Sequence, residues 1–63
     1  TSLQRGSRSA RTRARILEAA LGLFESHGYQ GTTVAQIAGA AGVTPLTFFR
    51  HFATKDAVVV ADP

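Results

Sequence analysis

Five arginines carry the first chemical signal in this chain. Arg5, Arg8, Arg11, Arg13 and Arg15 fall within the first 15 residues with no acid among them, a local charge of +5. Residues 16–63 set Arg50 and Lys55 against Glu18, Glu25, Asp56 and Asp62, a local charge of −2, so the net charge is +3. A guanidinium cluster ahead of a nearly neutral body suits a polyanionic partner, nucleic acid or a lipid surface, or else serves only to solubilise the chain. Other chemistries lack their parts. Ser26, His27 and Asp62 are the residue types of a hydrolytic triad, yet nothing in the sequence brings them together. A chain of 63 residues also leaves no room for a substrate pocket beside its core. His27 and His51 lack a third ligand at metal-binding spacing, and the absence of Cys removes thiolate sites and disulfides alike. Neither an enzyme, nor a cofactor, nor a metal is expected.

Length and hydropathy bound the rest. A chain this short buries only about 60% of the surface its unfolded form exposes, so a single domain of marginal stability is expected. The longest purely apolar run, residues 57–61, is far too short to span a bilayer. The basic N-terminus is not followed by the hydrophobic stretch of a secretory signal. The expectation is a small soluble cytoplasmic domain, cut from something longer.

The elements that must position any site can be read from spacing. Residues 1–8, with Leu3 as their only apolar member, read as a flexible basic arm. From about Ser9, Ile16, Ala20, Leu23, Phe24 and His27 fall at helical spacing, widened by Leu17 and Leu21. This predicts a helix over roughly 10–27, capped by Ser9 or Thr12 and closed by Gly28 with Tyr29 folded back in a Schellman end. Thr33 and Gln36 form a capping box for a second helix, whose apolar face is Val34, Ile37, Ala38 and Ala41. Thr44 caps a third helix with Pro45 at its first position, and Phe48 and Phe52 face the core. Thr54 and Asp56 open a fourth helix near Lys55, which ends in Val58-Val59-Val60, poor helix formers with nothing left to pack on.

Two short helices joined through Ala41-Gly42-Val43 have the form of a helix-turn-helix. Gly42 supplies positive φ, Val43 plugs the core and Ala38 permits close crossing. Any tight helical corner makes the same demands, so this motif alone leaves DNA binding and plain packing both open. A membrane anchor is a second alternative, since a basic arm leading into an apolar helix superficially fits one. Against it, Ile16, Leu17, Leu21 and Phe24 are needed to cover Ile37 and Phe52.

The longer string is more specific. Arg15-Ile16-Leu17 with Ala19-Ala20, Leu23-Phe24, Gly28-Tyr29, Thr32-Thr33-Val34, Ile37-Ala38, Ala41-Gly42-Val43, Phe48, His51-Phe52 and Thr54-Lys55 together resemble the N-terminal domain of TetR-family regulators. The resemblance runs without gaps from about residue 13 to 59. It implies an all-α, homeodomain-like three-helix helix-turn-helix domain over 9–54. Residues 55–63 would then start a helix leading to a missing C-terminal domain that binds ligand and dimerises. The implied function is sequence-specific reading of a palindromic operator in the major groove of double-stranded DNA. The protein would act as a homodimeric repressor released by a small-molecule inducer.

Roles carry over by position. Thr33 matches a phosphate-contacting threonine, where hydroxyl and backbone N–H point outward while the hydroxyl also caps. Thr44 matches another phosphate contact, and Pro45 a residue packed on a thymine methyl. Leu46, Thr47 and Arg50 match base-contacting positions, and His51 and Lys55 match backbone clamps. For Lys55, an unfavourable place at a helix N-terminus points to function rather than stabilisation. Arg5, Arg8, Arg11 and Arg13 would form the DNA-following arm. Two residues depart from the pattern: Leu46 replaces a glycine or small residue, and Phe49 replaces the usual phosphate-contacting Tyr. Core packing is the alternative for Phe49, but Phe48 and Phe52 already occupy the inner face, which favours a place beside Pro45, towards the groove.

Overall fold

A computed structural model describes the backbone of residues 2–60 and the side chains of residues 8–60. It contains α1 (Ser2–His27), α2 (Val34–Ala41), α3 (Pro45–His51) and α4 (Lys55–Val60), with no strand among the described residues. The all-α expectation holds. The helix start does not: α1 begins at Ser2, not near residue 10, so residues 2–8 continue the helix. Leu, Gln and Arg are good helix formers, and Gly6 alone costs only about 1 kcal/mol against Ala. Ser9 and Thr12 therefore lie inside a helix and cap nothing. The Thr12 hydroxyl instead donates to the Arg8 carbonyl at 3.0 Å, one turn back.

Each helix end has a local cause. Gly28, at φ 80°, closes α1 with one bond from its N–H to the Phe24 carbonyl, 2.8 Å. That is the single-bond left-handed cap rather than the expected Schellman pair, although Tyr29 does fold back, its ring 5.2 Å from Phe24. The Schellman pair closes α2 instead. Gly42, at φ 76°, donates to Gly39 at 3.2 Å while Val43 donates to Ala38 at 2.9 Å. Thr33 and Gln36 form the expected capping box, and Thr44 caps α3 with Pro45 in its first turn. At α4 the Thr54 hydroxyl accepts from Ala57 N–H, 3.2 Å, and Asp56 sits in the first turn.

Ile16, Ala20, Ile37, Ala41, Phe48, Phe52 and Val58 form one buried cluster, with Leu17, Leu23, Phe24, Val34 and Val43 packed against it. Two core expectations fail. Leu21 is 53% exposed, because Ile16 and Ala20 already fill the face of α1 towards α2. Val58 is 1% exposed, so α4 does find something to pack on and is anchored to the domain by that side chain. Thr32 is the buried polar residue, satisfied by donating to the Gly28 carbonyl at 2.8 Å.

Candidate nucleic-acid interface

The geometry of α3 follows from one buried side chain. Phe48 is fully buried, which turns its helical neighbours Leu46, Phe49 and Arg50 outward, and Pro45, one turn before Phe49, is exposed beside them. Leu46 is 64% and Phe49 50% exposed, so Phe49 lies outside the core; its ring stands edge-on to Phe48 with centroids 5.3 Å apart. Thr44 Oγ1 accepts from Thr47 N–H and donates to Thr47 Oγ1, both at 3.1 Å. The Thr44 proton is thus engaged within the cap, and in this arrangement the outward hydroxyl proton of the pair belongs to Thr47. Arg50 is exposed and His51 half-buried, both in the last turn, where positive charge also suits the α3 dipole.

At α2 one expectation needs correction. The Thr33 backbone N–H is not free, because it donates to Gln36 Oε1 at 3.0 Å in the capping box. Thr33 Oγ1 accepts from Gln36 N–H at 3.1 Å, which leaves the hydroxyl proton as its outward donor. The residue itself is exposed.

The basic residues divide into two groups. Arg8, Arg11 and Arg50 are exposed and point to solvent, Arg15 is exposed but bonded, and the Arg5 side chain lies outside the described residues. Arg13 stacks its guanidinium 5.0 Å from the Phe52 ring centroid and is half-buried. Arg15 donates from Nη2 to the Ala41 carbonyl at 2.8 Å, tying α1 to the end of α2. Lys55 donates from Nζ to the carbonyls of Tyr29 and Thr32, at 2.8 and 2.7 Å, and lies 4.1 Å over the Tyr29 ring. Its place at a helix N-terminus thus has a stabilising explanation that sequence reasoning missed. No group of three or more His, Cys, Asp or Glu able to hold a metal occurs among the described residues. Ser26 and His27 are exposed on α1, and Asp62 lies outside the described residues. No described helix is long and apolar enough to cross a membrane.

A short capped helix held by Phe48 on a second helix, with a Gly42 corner between them, has the form of a helix-turn-helix. The family profile described as bacterial regulatory proteins, tetR family, matches residues 16–61, and the chain belongs to that family of DNA-binding transcriptional regulators. It is similar to the HTH-type transcriptional regulator TcmR of Streptomyces glaucescens, 54% identical over 50 residues, 79% of this chain and 22% of that protein. It is also similar to the putative mycofactocin biosynthesis transcriptional regulator MftR of Mycobacterium tuberculosis, 39% identical over 57 residues, 90% of this chain and 29% of that protein. The HTH-type transcriptional repressor AcnR of Corynebacterium efficiens is 35% identical over 60 residues, 95% of this chain and 32% of its own length. The chain thus spans less than a third of the length of these relatives. No solved structure gave a significant match. The family and these relatives are described as regulators, not enzymes.

Proposed function

We propose that α3 enters the major groove of a palindromic operator and that the chain is the operator-reading part of a homodimeric repressor. The observation that carries this reading is the outward row on α3, Pro45, Leu46, Phe49 and Arg50, rooted in the buried Phe48. Pro45 and the bulky Leu46 suit thymine methyls, and Arg50 suits a guanine edge. Thr47 supplies a hydroxyl proton to the base row. Thr33, Thr44, Phe49 and His51 border the phosphate walls, which fix register but carry no sequence information. Arg8 and Arg11 extend the positive surface along α1, with Arg5 further along the same helix. Two relatives are named repressors, which favours repression here. Release by a small-molecule inducer, bound together with dimerisation in a further domain, completes the reading, and the protein would act in the cytoplasm.

The test is selection of bound duplexes from a random pool. With the full-length dimeric protein an enriched inverted repeat with half-sites about one helical turn apart is expected, and with this chain alone a single half-site. Recovery of duplexes with no common sequence would overturn specific reading by α3.

A further inference from the structure

We propose that Lys55 is a positioning residue, which sets the entry of α2 and thereby aims the Thr33 hydroxyl at a DNA phosphate. The proposal rests on the reading of Thr33 as a phosphate contact. Lys55 opens α4, where its charge is disfavoured by the helix dipole. The side chain turns from that end and places Nζ against the turn between α1 and α2, bonding the Tyr29 and Thr32 carbonyls at 2.8 and 2.7 Å. An ammonium has three donors. Two of those on Lys55 are therefore engaged within the protein, and the Tyr29 ring covers the group at 4.1 Å.

The Thr32 carbonyl and the Thr33 N–H belong to one planar peptide. Lys55 holds its oxygen edge at 2.7 Å, and Gln36 Oε1 holds its nitrogen edge at 3.0 Å. Turning that plane is the motion that would swing Thr33 out of register, and it is restrained from both sides. The restraint on the oxygen is charge-assisted, about twice as strong as a neutral bond. The tie also links α4 to the DNA-facing end of α2 across 23 residues of chain. A lysine acting only on phosphate has no need of either carbonyl.

A double-mutant cycle with Thr33 tests this, using random-sequence duplex DNA at several salt concentrations as the probe and amide hydrogen exchange as a second measurement. Lys55→Met and Thr33→Val should each weaken binding about fivefold, and the double variant should be no weaker than the worse single. Exchange at the Thr33 and Gln36 amides should quicken in Lys55→Met, and Lys55→Arg should restore both slow exchange and affinity. The salt slope should fall by well under about one unit. If the two losses multiply, the slope drops by about one unit and the amides are unchanged, Lys55 is a plain phosphate clamp and the proposal fails. Thr33→Val binding like the parent would remove Thr33 from the interface and end the DNA part, while exchange would still decide what Lys55 holds. Should Lys55→Met not fold, Lys55→Gln, an uncharged donor, carries the same cycle.

Discussion

Phe49 is the residue whose chemistry is easiest to change without disturbing its neighbours. Half its surface is exposed and its ring rests on Phe48, so a para hydroxyl would add to the solvent side. Phe49→Tyr should tighten DNA binding by about 1 kcal/mol, roughly fivefold, because a hydrogen bond to charged phosphate exceeds the loss of hydration. The gain should match on cognate and random duplexes, and the melting temperature of the free protein should not move. A lower melting point without tighter binding would return the ring to the core. Arg50→Ala should cost about 1–3 kcal/mol on the selected operator and relax preference at one base pair. Equal weakening on random DNA would make Arg50 a phosphate contact. Caps were legible in the sequence because Thr33, Thr44 and Pro45 act on their own next turn. The ends of Arg13, Arg15 and Lys55 were not legible. A long cationic side chain reads the same whether it meets solvent, an aromatic ring or a carbonyl, and the tertiary fold alone decides which.

The helix-turn-helix corner is held by a tie from α1. Arg15 donates to the Ala41 carbonyl at 2.8 Å, where the negative end of the α2 dipole favours a cation. Arg15→Met keeps most of the stem but leaves that carbonyl without its charged partner, and should cost about 1–2 kcal/mol. Gly42→Ala should cost at least about 1 kcal/mol, since alanine is strained at positive φ. Its Cβ would also stand 3.0 Å from Arg15 Nη2, so the substitution disturbs the same tie. The two losses should therefore be less than additive in the double variant, as read from thermal melts. Full additivity would show that the guanidinium does not need its present place. At this scale α2 and α3 were legible almost to the residue, because capping threonines and Gly42 bound them. The start of α1 was not, since polar Arg, Ser and Gln suit a helix or an arm equally well and Gly6 alone does not end a helix. Nor was Leu21, whose helical spacing was right but whose face lies on the edge of the stripe.

For the whole molecule, apolar exposure and charge are distributed differently. Leu21 and Val59 border a groove of about 590 Å³ between α1 and α4, while Leu46 and Phe49 lie on α3. Divided in this way, neither set is expected to supply the roughly 800 Å² per partner of a stable dimer, so the chain alone should sediment as a monomer at micromolar concentration. A tight dimer would overturn that. Charge, in contrast, is concentrated, with all five N-terminal arginines on α1. The guanidinium groups of Arg13 and Arg15 are engaged within the protein, by the Phe52 ring and the Ala41 carbonyl, whereas Arg8 and Arg11 are exposed cations of α1 with no such tie among the described residues. A helix that carries its arginines past the domain keeps them at fixed separations, so each one neutralises a phosphate only where α1 runs beside the duplex. Removing residues 1–8 deletes Arg5 and Arg8 and should reduce the slope of log affinity against log salt by about two units if both contact phosphate. Arg11→Ala should add about one further unit. Because the contacts are with the backbone, these losses should be equal on the selected operator and on random DNA. An unchanged slope after the deletion would make residues 1–8 a solubilising segment and remove Arg5 and Arg8 from the DNA-binding surface.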